Sequence, residues 1–171
     1  MFLLDVLEVI KERRSIRKYK QKVVEKEKLL KVLEAARLAP SAMNRQPYAI
    51  VVLSDSETIE KISCACNQKW DAPTIIVICA FPKKAWARDD GEEYWKVDAA
   101  VAMTNLSLQA CAEDLGTCWI AAFKEKEIKE ILGIEKDARV VAMTPLGYPD
   151  EKKGLVTNRK TIDELVRYER W

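Results

Sequence analysis

Apolar positions recur along this chain with two different periods, and the change of period divides it into helices and strands. Leu4, Leu7 and Ile10 repeat at helical spacing with Val6 and Val9 beside them, which predicts a helix of about three turns over residues 4–13. Residues 25–38, EKEKLLKVLEAARL, put Leu29, Leu33 and Ala36 on one stripe, with Leu30 and Leu38 next to it and Glu and Lys outside. Pro40 ends that helix. YAIVVL (Tyr48–Leu53) and TIIVICA (Thr74–Ala80) are continuous apolar runs rich in β-branched residues, as buried strands require. Between them, SDSETIEKISCACN opens on helix N-cap residues and predicts a short helix. A third strand is expected in TCWIAAF, after Gly116, and a fourth in ARVVAMTPLGYP. The surface helix KEKEIKEILGI lies between them and stops at Gly133, and TIDELVRYE predicts a last short helix. Strands and helices mix without strict alternation. The expected class is therefore α+β, a central mixed, mostly antiparallel sheet of four to five strands flanked by helices. No linker, repeat or low-complexity stretch interrupts residues 1–171, so one domain is expected.

Residues 94–115 predict the longest helix, and it has no polar face. Val97, Val101, Leu108 and Leu115 mark one side, while Ala99, Ala100, Ala102, Met103, Leu106 and Ala110 fill the others. Asp98 is the only formal charge from Val97 to Ala112. Such a helix must be covered all round, either at the centre of its own domain or by a second subunit.

Composition narrows the chemistry. A chain of 171 residues with 33 % charged and 49 % hydrophobic residues reads as globular. Its net charge of +2 is too small for a general polyanion binder, so no nucleic-acid partner is expected. No run of about 18 apolar residues is present to span a bilayer, and Asp5 and Glu8 break the apolar start, which does not read as a signal peptide. Five cysteines, an odd set, read as reduced thiols in a cytoplasmic protein, and buried thiol is favoured over a metal site at Cys64 and Cys66. There is no histidine. Catalytic triads, His-ligated zinc and His general bases are all excluded.

Two segments carry candidate chemistry. In RRSIRKYK, Arg13–Lys20, five of the eight residues are cations. Two or three of them suit a helix C-terminus, but arginine forks also grip phosphate oxygens. A helix continuing through would put Arg13 and Arg17 on one side, four apart, with Ser15 adding a hydroxyl. In APSAMNRQPY, Ala39–Tyr48, two prolines bracket Ser41, Asn44 and Gln46 at the mouth of a strand. Their neutral donors and acceptors serve either local turns or the polar edge of a heterocycle. Near the C-terminus, Arg159 and Lys160 precede the last helix as further candidate cations. The five glycines form neither a GxGxxG nor a P-loop.

Together RRSIRKY, APSAMNRQPY, DAAVAMTNLSLQACAEDLGTCWIAAF and TPLGYPDE…NRKTIDELV resemble, in order, the nitroreductase family of FMN-dependent flavoproteins. The resemblance implies a homodimer with FMN at the subunit interface, reduced by NADH or NADPH and reoxidised by a small organic acceptor in a ping-pong cycle. It implies that Arg13, Arg14, Ser15 and Arg17 hold the phosphate and ribityl chain, with Arg159 and Lys160 closing on the phosphate. Pro40, Ser41, Asn44 and Gln46 would line the ring, largely from the partner subunit. Asn67 or Gln68 would add a ring or ribityl contact, and Ala121 and Ala122 would offer backbone N–H groups near flavin N5. No side chain is expected to be catalytic, because the flavin carries the chemistry. Nitroaromatics or quinones are the expected acceptors. The alternatives are reductive dehalogenation or flavin cleavage within the same family, and a non-enzymatic dimer binding nucleic acid through a basic patch. Ala121-Ala122 stands where one nitroaromatic-reducing branch has Glu-Gly, so that carboxylate is missing. Residues 81–96, where the family often builds a lid, are short, with Trp86, Tyr94 and Trp95 available to stack.

Overall fold

In the computed structural model, which describes residues 5–66 and 68–171, the two continuous apolar runs form adjacent antiparallel strands. These are β1 (Tyr48–Leu53) and β2 (Thr74–Ala80). With β3 (Gly116–Thr117) and β4 (Arg139–Gly147) they make a four-stranded sheet in the order β1-β2-β4-β3. All three ladders are antiparallel, and the parallel element is a single bridge between Ser15 and Thr117.

Every residue of β2 is buried, which explains its unbroken apolar run. Ile76, Ile78 and Ala80 face α2 (Lys26–Arg37) and α4 (Trp95–Ala112) in one core. Ile75, Val77 and Cys79 face α3 (Ser56–Ala65) and α5 (Glu125–Leu132) in the other, through Ile59, Ile62 and Ile128. The remaining helices are α1 (Val6–Glu12) and α6 (Ile162–Leu165). Side-chain caps start three of the helices. Asp5 accepts from Leu7 N–H, Asp55 accepts from Thr58 N–H, and Thr161 and Glu164 form a capping box. Gly133, at φ 63°, ends α5.

The sheet and α2 cover only part of α4. Ala102, Met103, Leu106 and Ala110 are buried, but Val97 is 48 % exposed and Val101 and Leu108 are half-buried. Val6, Leu7 and Ile10 on α1 are exposed as well. The chain's end is the extreme case: all residues from Lys152 to Trp171 are exposed, including Leu155, Ile162, Leu165, Tyr168 and Trp171. Among the described residues, no helix is long and apolar enough to cross a membrane, and no cluster of possible metal ligands occurs.

Three expected elements differ. The third strand ends at Thr117, because Cys118 N–H donates to the Thr144 hydroxyl and not to the ladder, and only Ile120 rejoins β4, at Met143. The last helix is four residues long. The first helix ends at Glu12, so Arg13–Lys20 does not continue it.

Candidate functional site

Arg13 N–H closes the last turn of α1 on Val9 carbonyl (2.9 Å), and ψ of 127° then sends the chain out extended. Ile16 N–H donates to Thr117 carbonyl at 2.9 Å, Lys20 N–H donates to Tyr148 carbonyl, and the buried Tyr19 hydroxyl donates to Ile16 carbonyl. Residues 13–20 therefore run along the sheet edge beside β3. Close approach demands a glycine there: a Cβ on Gly116 would lie 2.8–2.9 Å from Ile16 Cβ, Cγ1 and Cγ2.

This replaces the helical period of four with the strand period of two. By that period Arg13, Ser15 and Arg17 fall at alternate positions, with Arg14 between the first two. The Arg14 guanidinium donates to the carbonyls of Gly154 (2.7 Å), Lys11 (2.6 Å) and Arg13 (2.7 Å), tying the C-terminal tail to α1. Arg13 and Arg17 join no ion pair among the described residues. The tail is fixed further by Asp150 N–H to Lys18 carbonyl and Lys153 Nζ to Ser15 carbonyl (2.6 Å). Glu151 accepts from Arg17 N–H, which, with Lys153 nearby, holds its carboxyl below the usual range. Arg159 and Lys160 lie beyond this anchor on the exposed tail.

Four residues past Thr117 the chain exposes Ala121 and Ala122, whose amides have no acceptor among the described residues. Lys124 N–H then donates to Ala65 carbonyl (3.1 Å), which seats this loop against the end of α3. Gln68 is exposed beside it, and Asn67 lies outside the described residues. Burial pushes the neighbouring Cys66 thiol up to about 11, so it stays protonated at neutral pH. An open groove of about 800 Å³ is lined by Ser54, Ile59, Cys64, Gln68, Trp70 and Asp71.

The second donor set is elsewhere. Pro40–Pro47 forms a tight loop around a 3-10 turn at Ala42–Asn44, and Met43, Asn44 and Gln46 adopt positive φ of 51°, 56° and 47°. Gln46 N–H donates to Ser41 Oγ (2.9 Å), and its Nε2 donates to Asn44 carbonyl (2.9 Å). The Arg45 guanidinium donates to Ala85 carbonyl (2.8 Å), and Ala42 N–H donates to Asp98 Oδ1 (2.9 Å). Pro40, Asn44 and Gln46 remain exposed and Ser41 half-buried. Residues 86–94 form a small hairpin bridged at Ala87 and Glu93, with Trp86 and Tyr94 edge to face at 5.0 Å.

These two donor sets do not meet in one chain. The loop is tied to the first turns of α4 and precedes β1, one outer strand. The arginine segment is tied to β3, the other outer strand, just past the C-terminal end of α4. The rise of α4 and the width of three strand spacings put them about 25 Å apart. Asp98 and Gly116 are the supporting residues that the sequence did not single out as functional. The available signals were a lone charge in an apolar helix and a glycine at a strand start.

The model of the nitroreductase family matches residues 10–72 and 64–148. A protein of Archaeoglobus fulgidus with the provisional name NADH dehydrogenase/NAD(P)H nitroreductase is 33 % identical, with 98 % of this chain and 99 % of that protein covered. A crystal structure of a nitroreductase family protein from Clostridium difficile 630 superposes with a TM-score of 0.91 at 33 % identity, over 99 % of this chain and all of the other. An FMN-dependent nitroreductase from Clostridium difficile R20291 gives 0.83 at 33 % identity, over 96 % and 99 %.

Proposed function

The chain belongs to the nitroreductase family, and we propose that it is an FMN-dependent oxidoreductase passing hydride from NADH or NADPH to a small organic acceptor such as a nitroaromatic or quinone, by a ping-pong cycle. The bound flavin supplies the redox centre, and the protein binds and orients it.

The residues present fit such a group. Arg13 and Arg17, about 13 Å apart along an extended segment, offer forked donors for a phosphate, and Ser15 between them offers a hydroxyl. Arg159 and Lys160 supply further cations from the tail. Arg14 serves the phosphate by its charge and by holding the tail in place. The exposed Ala121 and Ala122 amides are free to donate to a ring nitrogen, and the exposed Gln68 is a further candidate contact. Ser41, Asn44 and Gln46, with Pro40, suit the polar edge of a ring. No side chain has to move a proton, so the lack of histidine is no obstacle.

The observation that carries the reading is the separation of the two donor sets on one chain. A single flavin reaches both only if a second copy brings its loop to the first copy's arginines. The exposed apolar residues on α1, α4 and the tail give that second copy a surface to cover. The protein acts in this reading as a homodimer, in a cytoplasmic setting that keeps its five unpaired cysteines reduced. Purified protein should be yellow, with a flavin spectrum bleached by NADH or NADPH and restored by an added quinone. It should sediment at about twice the chain mass. Colourless protein that takes up no added FMN, or an FMN-loaded monomer, refutes the reading.

A further inference from the structure

Asp98 is only 2 % exposed, within the first turns of α4. Its Oδ1 accepts the Ala42 N–H at 2.9 Å, while its buried Oδ2 has no hydrogen-bond partner among the described residues. It forms no ion pair there either. Burying a carboxylate is unfavourable unless both oxygens are satisfied. The positive end of α4 offsets part of that cost. Core packing alone would be served better by an apolar residue, as at Ala99, Ala102 and Met103 around it.

The single hydrogen bond of the Asp98 side chain among the described residues reaches a loop with strained backbone. Three non-glycine residues there, Met43, Asn44 and Gln46, stand at positive φ. Such backbone persists only where its surroundings over-determine it. Gln46 closes the loop's far side on Ser41 and Asn44, and Arg45 tethers its crown to Ala85. The bond from Ala42 to Asp98 is the tie at its entry. We propose that Asp98 is a positioning residue that locks the Ser41–Gln46 loop in its left-handed form and thereby sets the protein's affinity for the polar edge of the flavin ring. This rests on the reading of that loop as a ring-binding element.

Asp98→Ala removes the acceptor, and Asp98→Asn keeps one at the same place. Three measurements on the full chain decide the matter. They are hydrogen exchange of the segment 39–47 without flavin, the flavin-free melting temperature, and the FMN dissociation constant with the visible spectrum of the bound form. In Asp98→Ala the Ala42 amide should lose its protection, and FMN should bind at least about tenfold more weakly with an altered flavin band. The flavin-free melting temperature should move by no more than about 3 °C, because the lost bond is offset by removing a buried charge. Asp98→Asn should restore protection and bring FMN affinity to within about threefold of wild type, since a neutral acceptor is weaker than a charged one. Unchanged exchange in Asp98→Ala overturns the proposal. So does an Asn variant as weak as the Ala variant, or a large loss of stability with FMN affinity intact. Wild-type protein that takes up no FMN overturns the flavin reading of the loop, while exchange of segment 39–47 judges the anchor separately.

Discussion

Gly116→Ala should displace the arginine segment without touching any residue assigned to FMN. The new methyl carbon would sit 2.8–2.9 Å from three carbons of Ile16. Ordinary carbon contacts are about 3.5–4.0 Å, so the gap must open by roughly 1 Å. Ile16 has little room to yield. It is β-branched and 7 % exposed, and its N–H and C=O are held by Thr117 and Tyr19. Its backbone must therefore move, which stretches the 2.9 Å bond from Ile16 to Thr117 beyond hydrogen-bonding range. Overpacking with a lost backbone bond costs about 1–3 kcal/mol, or about 2–10 °C of melting temperature for a chain of this size. Arg13, Ser15 and Arg17 flank Ile16 and move with it, so FMN affinity should fall at least about tenfold, since misplacement of about 1 Å can cost more than that. Calorimetry of the flavin-free protein and fluorescence titration with FMN measure the two effects. Gly154→Ala is the control, because a Cβ there meets nothing within 4 Å. A destabilised Gly116→Ala protein with wild-type FMN affinity would show that the arginine segment does not bind the cofactor. Unchanged stability would refute the packing argument itself.

Arg17→Ala should weaken FMN by roughly 10- to 150-fold, the loss of one charge-assisted contact of about 1.5–3 kcal/mol, while Lys18→Ala, on the opposite side of the extended segment, should change little. Equal losses in a titration at fixed salt would mean a diffuse cationic field. Glu125 pairs with Arg139 through two bonds of 2.8 and 2.9 Å, and this pairing, chiefly with the Arg139 guanidinium, holds its carboxyl below the usual range. A folded pKa below the unfolded one stabilises above the unfolded value, near 4.3, and that contribution is lost as pH falls through the folded value. Glu125→Gln should therefore melt lower than wild type at pH 7, with the difference closing in acid. A gap that persists at pH 2 would contradict the assignment.

The two strands written as continuous apolar runs were legible from the sequence. β2 begins and ends where its apolar run does, because a central position demands apolar side chains in both directions of the pleat, and β1, although an outer strand, keeps the bounds of its own run. α2 and α4 were readable for the same kind of reason. The third strand was not. TCWIAAF has strand composition, but the Thr144 hydroxyl captures Cys118 N–H, and a side-chain partner across the sheet leaves no trace in local periodicity. RRSIRKYK misled in a related way. Cations suit a helix end, and only pairing with Thr117 makes the segment extended. Arg13, Ser15 and Arg17 nonetheless fall at alternate positions, because offsets of two and four both return to one side of a strand, although four residues now span about 13 Å and not one helical turn. Arg14 was indistinguishable from its neighbours by charge, and only its bonds to Gly154 and Lys11 set it apart. Asp98 could be noticed as a lone charge, but its partner, Ala42, is 56 residues away.

The separation of the two donor sets on each chain makes lesions in them complementary. In the proposed two-subunit arrangement, Arg17→Ala damages the arginine half of a site and Asn44→Ala the loop half. Each homodimer then carries two damaged sites. A hybrid of the two chains carries one site with both lesions and one with neither. Two inactive alleles expressed together would regain activity through the hybrid, whereas two alleles within the same half would not.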